Sequence, residues 1–208
     1  MAPISVLIAD DSVEFRKSIH AILVFEEGIR VVAVARDGAE AVELARQHQP
    51  DVALMDINMP RVDGLTAIHA MAEVSPNTLC MIMSSEGERE MLRKAMAAGV
   101  REYLVKPFSA EDFLHAVERM KRFAGEAKAK NAAVEAEKDR YLLQLTRAYL
   151  KSGRMDDEAA KAYAEYAVRP RADPDLLARL AEIFCARRDW RPLRQICERM
   201  ENLPRPPE

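Results

Sequence analysis

The sequence predicts an α/β domain built on a parallel sheet with helices on both faces, followed by a smaller all-α domain. Three observations carry that prediction. Up to residue 123, five short apolar runs alternate with five helical patterns, and βα repetition of this kind packs as a doubly wound sheet. Chemistry-bearing residues stand immediately after four of the runs, the place where open parallel sheets gather ligand-binding groups. After residue 140 no strand-like run remains, and apolar residues recur at helical spacing.

The elements follow in order. Residues 4–9 (ISVLIA) form a strand ending at Asp10-Asp11, and residues 13–24 a helix. Residues 29–34, rich in β-branched side chains, supply a strand, and Asp37-Gly38 turns the chain into a helix over 39–48. Residues 52–55 lead to Asp56, and Asp63-Gly64 opens a helix over 65–73. Residues 79–83 lead to Ser84, with a helix over 88–97 that Gly99 can end. Residues 103–105 lead to Lys106-Pro107, and Ser109, with Asp112 in the first turn, caps a helix over 110–123. These elements make residues 1–123 the first domain. Residues 124–140 (AGEAKAKNAAVEAEKDR) carry almost nothing large and apolar and read as a charged helical linker.

Residues 141–202 read as two helical hairpins. Leu142, Leu145, Ala148 and Tyr149 recur at helical spacing, Ser152-Gly153 breaks the run, and Ala159, Ala162, Tyr163 and Tyr166 continue it. A second pair places Leu177 on Leu142, Leu180 on Leu145, Ile183 on Ala148, Phe184 on Tyr149 and Trp190 on Met155, at a constant offset of 35 residues. That offset is close to the period of helix-turn-helix repeats. The tail, 203–208, holds three prolines and is expected to be disordered.

Composition narrows the function classes. No stretch approaches the roughly 20 apolar residues of a spanning helix, and the start lacks a secretory signal, so a cytoplasmic location without membrane contact is expected. Cys80, Cys185 and Cys197 lack metal or disulfide spacing and are expected to be reduced, buried thiols. Residues 1–140 hold 18 Lys+Arg against 23 Asp+Glu, and 141–208 hold 13 against 11. Neither half has the basic excess of a dedicated nucleic-acid binder. His20, His48, His69 and His115 fall on predicted helices at unrelated spacings, which suits surface or packing roles.

Asp10, Asp11 and Asp56 put three carboxylates in one crevice, a costly arrangement without a hard cation, and Mg²⁺ answers it with a preference for oxygen ligands. Asp56 is then available as a carboxylate nucleophile that forms an aspartyl-phosphate. Lys106 would stabilise negative charge on the phosphoryl group, and the Ser84 hydroxyl and the backbone N–H of Ser85 would donate to its oxygens. The Lys106-Pro107 bond is a candidate cis bond.

IADDS (8–12), LMDINMPRVDG (54–64), MSS (83–85) and YLVKPF (103–108) match, in order and spacing, the signatures of the CheY-like receiver domain of two-component response regulators, which residues 4–122 resemble. The resemblance implies the flavodoxin-like strand order 2-1-3-4-5 and, residue by residue, a set of roles. Asp56 is the phosphoacceptor, Asp11 a direct Mg²⁺ ligand, and Asp10 binds the metal through water or assists. The backbone carbonyl of Asn58 completes the metal set. Ser84 and Tyr103 take the positions of the switch pair, and Lys106 pairs with phosphate. Implied partners are a sensor histidine kinase or phosphotransfer protein, and a second copy met through the fourth helix, fifth strand and fifth helix, or through the linker.

For residues 141–202, AYLKSG, the helix after it and their copy resemble tetratricopeptide-type repeats, with Trp190 and Tyr149 at packing positions, which implies an output that binds a downstream protein. A rival reading comes from AYLKSGRMDDEAAKAYAEYAV and LLARLAEIF, similar in outline to ANTAR-type antiterminators that bind RNA, with Arg187, Arg188, Arg191 and Arg194 facing phosphates. The last helix, superfluous to a three-helix RNA binder, favours the protein-binding reading. A DNA-binding output ranks third, since no helix-turn-helix domain of the usual size is recognisable. Residues 141–208 contain neither histidine nor a glycine-rich loop, so no enzymatic output is expected.

Overall fold

The structure, a computed structural model, describes residues 3–85 and 89–202. Five strands, β1 (Ile4–Ala9), β2 (Ile29–Ala35), β3 (Val52–Asp56), β4 (Leu79–Ser84) and β5 (Glu102–Val105), form one parallel sheet in the order β2-β1-β3-β4-β5. Alternate residues of β1, β3 and β4 enter different cores. Leu7, Ala9, Ala53, Met55 and Ile82 pack with Ala41 and Ala45 of α2 (Gly38–His48) and Ala67, Ile68 and Met71 of α3 (Gly64–Val74). Ala95 of α4 (Arg89–Ala97) joins the same cluster. Val6, Ile8, Leu54, Met81 and Met83 pack with Ile19 and Leu23 of α1 (Val13–Val24) and with Phe113, Ala116, Val117 and Met120 of α5 (Ala110–Lys151). Burial on both faces is why these strands read as continuous apolar runs.

Loop chemistry starts the helices. The side chains of Ser12, Asp37 and Asp63 accept hydrogen bonds from the backbone N–H groups of Phe15, Glu40 and Thr66, capping α1, α2 and α3. Helices α2 and α3 start one residue earlier than the sequence pattern suggests, on a glycine each time. A Cβ on Gly64 would stand 2.0 Å from the Asp56 carbonyl oxygen, and one on Gly38 2.4 Å from that of Val62. Both glycines are there to let backbone pass backbone.

The chain divides into two compact units between Ala129 and Lys130, inside the 42-residue α5. The stretch 124–140 is helical throughout, and each end is tied to its own unit. In the first unit Lys128 Nζ donates to Asp51 Oδ2 at 2.7 Å. In the second, Arg169 pairs with Glu135 and with Asp139, and Lys138 with Glu165.

The second unit contains the end of α5 with α6 (Asp157–Ala167), α7 (Pro174–Arg187) and α8 (Trp190–Glu201). Its core is Leu142, Tyr163, Tyr166, Leu177, Leu180, Phe184 and Ile196, with Tyr149 packed at the edge against Tyr163, ring centroids 6.4 Å apart. Several expected core positions differ. On α5 the inward face runs through Leu142, Thr146 and Leu150, so Ala148 is exposed and Thr146 is fully buried. Met155 and Trp190 are 49% and 62% exposed, because both lie at hairpin turns outside the stacked faces. Of the thiols only Cys80 is buried, and desolvation pushes it up to about 12, whereas Cys185 and Cys197 are exposed on α7 and α8. The expectation for residues 203–208 lies outside the described residues. Among the described residues no helix is long and apolar enough to cross a membrane.

Candidate functional site at the carboxyl end of the sheet

Parallel register brings the strand ends into one row. Ala9 pairs with Met55, Asp56 with Met83 and Ser84 with Val105, so Asp10, Asp56, Ser84 and Lys106 end on neighbouring strands. The Lys106 backbone N–H donates to the Ser84 carbonyl at 2.8 Å, and the Lys106-Pro107 bond is cis.

The charged groups meet at Lys106. Its Nζ donates to Asp10 Oδ2 at 2.6 Å and to Asp56 Oδ1 at 2.7 Å. Both carboxylates are buried, 1% and 5% exposed. Burial pushes the Asp56 carboxyl above the ordinary range; Lys106 opposes that shift and Asp10 adds to it. Burial alone would lower Lys106, but its two carboxylates outweigh that and hold it above its usual value. The ammonium also sits 3.9 Å from the centroid of the Phe15 ring, which packs edge-on against Phe108, itself stacked on Phe113. Asp10 Oδ1 accepts from the Ser12 backbone N–H at 2.8 Å, and the Arg16 guanidinium donates to the carbonyls of Asp10 (2.6 Å) and Asp11 (3.0 Å).

The remaining predicted residues differ in exposure. Asp11, Asn58 and Ser85 are exposed at the rim, Ser84 is fully buried, and Tyr103 on β5 is half-buried against the α2–α4 core. All four histidines are exposed on helices. Among the described residues no group of three or more Asp, Glu, His or Cys side chains is gathered in a metal-binding arrangement. The donor set nevertheless suits a hard dication. One ammonium faces two buried carboxylates, leaving an excess negative charge, and a cation such as Mg²⁺ needs only one or two carboxylates beside water and phosphate oxygen.

Three further contributors carry no signal in the sequence. Phe15 and Arg16 reach the site because α1 starts directly after the acid pair, and in sequence they were ordinary helix residues. Arg61, at φ 68°, forms an ion pair with the fully buried carboxylate of Asp37. Together with the Gly38 N–H on the Val62 carbonyl at 3.1 Å, this pair ties the loop after Asp56 to the start of α2.

Comparison with known proteins agrees with this geometry. Residues 6–118 match the response regulator receiver domain family. The chain is 39% identical over 114 residues to the chemotaxis protein CheY of Bacillus subtilis, covering 55% of this chain and 94% of that one. It is 34% identical over 118 residues to the transcriptional regulatory protein PdtaR of Mycobacterium tuberculosis, a match that spans just over half of each protein (56% of each). Among solved structures, the CheX–CheY–BeF₃–Mg²⁺ complex from Borrelia burgdorferi contains a similar chain, with a TM-score of 0.54 and 31% identity over 59% of this chain and 90% of that one. With the family matched over more than half its length and the strand-end residues in place, the chain belongs to the response regulator receiver domain family.

Proposed function

We propose that this protein is a two-component response regulator phosphorylated on Asp56 in a Mg²⁺-dependent reaction, with its helical unit as a protein-binding output. The observation that carries the reading is the buried Asp56 carboxylate held by Lys106 beside Asp10. A carboxylate oxygen of Asp56 attacks the phosphorus of a phosphohistidine on a sensor kinase or phosphotransfer protein. The new O–P bond forms as the P–N bond breaks, and the departing imidazole nitrogen keeps the electron pair and takes up a proton. Lys106, already within hydrogen-bond reach of the Asp56 oxygen, stays close enough to neutralise charge on the transferred group. The Ser84 hydroxyl and the Ser85 N–H supply donors to its oxygens, and a shift of Ser84 toward them opens space for Tyr103 to turn inward. Asp10, Asp11, Asp56 and the Asn58 carbonyl would hold Mg²⁺, which supplies positive charge to the phosphoryl oxygens. Phosphorylation adds about −1.5 to −2 charge to a site that already carries excess negative charge, enough to bias the surface of α4, β5 and α5 and its pairing with a second copy.

The helical unit supports protein binding more than RNA binding. Of the arginines assigned to phosphate contact, Arg187 is engaged by the Met155 carbonyl and by Asp157 at 2.8 Å, leaving the exposed Arg188, Arg191 and Arg194. The phosphoacceptor reading is tested by exposing wild type and Asp56→Asn to a small-molecule phosphodonor with and without Mg²⁺. Labelling is expected only in wild type with Mg²⁺, and a labelled Asp56→Asn protein overturns the reading.

A further inference from the structure

A cleft of about 490 Å³ opens in the second unit between the last turns of α5 and the start of α7. Its cations come from two helices: Arg147 and Lys151 on α5, and Arg179 on α7. Arg147 pairs with Asp173 at 3.7 Å, and Asp173 also caps α7 by accepting from the Asp175 N–H. Among the described residues neither Lys151 nor Arg179 forms an ion pair, although Asp175 stands one turn before Arg179. Leu150 and Leu176 give the cleft an apolar wall.

The cations are not a by-product of the repeat. At the 35-residue offset, Arg147 and Lys151 correspond to Glu182 and Ala186, and Arg179 corresponds to Gln144. The second helical pair packs with glutamate and alanine at the Arg147 and Lys151 positions, and the first pair with glutamine at the Arg179 position, so the scaffold does not require cations at these places. The basic track also continues along the helix: Arg140, Arg147 and Lys151 are seven and four residues apart, on one face of α5. Arg140 lines a second cleft of the same unit, about 280 Å³, with Asp139, Arg169 and Arg171. From Arg140 to Lys151 the helix rises about 16 Å, the reach of about five extended residues.

We propose that this cleft binds an acidic peptide segment of a partner protein, with carboxylates on Lys151 and Arg179 and an aliphatic side chain against Leu150 and Leu176. The proposal rests on the reading of the helical unit as a protein-binding output and names its partner's chemistry. Asp173 and Asp175 discriminate between anions. They lie among the cations and repel a continuous phosphate backbone, whereas a peptide places its carboxylates singly and offers apolar side chains between them.

The experiment uses the full chain. Peptides are selected from a random display library, and affinities of the best are measured by fluorescence polarisation at physiological salt. Selected peptides are expected to carry Asp or Glu flanking Leu, Ile, Val or Met. Lys151→Glu/Arg179→Glu is expected to weaken them about tenfold or more, Lys151→Ala/Arg179→Ala by less, and Arg188→Glu/Arg191→Glu not at all. All substituted side chains are exposed, and unchanged thermal melting confirms folding. Selection without acidic residues, full affinity in Lys151→Glu/Arg179→Glu, or tighter binding of a single-stranded RNA oligonucleotide overturns the proposal. Phosphate incorporation at Asp56 is measured on the same preparations, so loss of peptide selectivity with intact labelling refutes the cleft alone.

Discussion

The two units bury polar groups in opposite ways. Asp10, Asp37, Asp56, Ser75 and Ser84 are buried in the first, whereas Thr146 is the one such residue among the described residues of the second. Burying a carboxylate is costly without a cation or hydrogen bonds to meet it, and the first unit supplies Lys106 for Asp10 and Asp56 and Arg61 for Asp37. The second unit fills its core with Leu, Ile, Phe, Tyr and Ala and holds its most enclosed charges, Arg169 and Asp139, half-buried in an ion pair. Under the proposed function, the first is built around a reaction, and the second around packing that displays a recognition surface.

Removing packing from the second unit challenges that division most strongly. Phe184→Ala is expected to destabilise the helical unit by about 4 kcal/mol. Calorimetry should show that loss while phosphodonor labelling stays at the wild-type level; labelling that fell with it would join the two units into one. Gly64→Ala acts on the other side. Its Cβ meets the Asp56 carbonyl, so about 3 kcal/mol of destabilisation of the first unit and loss of labelling are expected, with peptide binding by the second unit retained.

Lys106→Ala separates charge from packing. Without the ammonium, two buried carboxylates face each other, and about 2 kcal/mol of stability is lost at neutral pH, less than for a fully buried pair because a carboxyl can take up a proton. The sign with pH follows from Asp56. Its folded value is raised, so its ionisation costs stability as pH rises above the ordinary value of 3.8, and removal of Lys106 raises it further. Denaturant melts should therefore place the variant close to wild type near that value and well below it at neutral pH. A pH-independent difference would deny the lysine its electrostatic role.

The smallest effect concerns the tie between α5 and the sheet. Burial would raise the Asp51 carboxyl, but Lys128 and Ser5 outweigh it and hold it below the ordinary 3.8. Asp51 therefore contributes stability above that value that is lost as pH falls through its lowered one. Lys128→Ala is expected to cost about 0.5 kcal/mol and to move the Asp51 titration upward, read by carboxyl NMR. No movement would mean that Ser5 alone holds the carboxylate.

Much of the first unit was legible because its signals are local. A strand and the residue after it are adjacent in sequence, so the positions of Asp10, Asp56, Ser84 and Lys106 at strand ends follow from the sequence pattern. Phe15, Arg16 and Arg61 were not legible, because their roles depend on how a helix or loop leaves the strand end. In the second unit helix phase decided the outcome. A small shift of the inward face of α5 exposes Ala148 and buries Thr146, and spacing alone does not resolve such neighbours on a helix. Composition also hid the ties of residues 124–140, since Asp51 and Arg169 are distant in sequence.

Confinement of the chemistry to the strand ends, with Asp56 at its centre, is tested by locating the acyl phosphate. Reduction of the phosphorylated protein with borohydride converts a phosphorylated aspartate to homoserine, which peptide mass spectrometry places in the sequence. Homoserine at position 56 alone is the predicted result; homoserine at position 10 or 11, or anywhere in the helical unit, would contradict it.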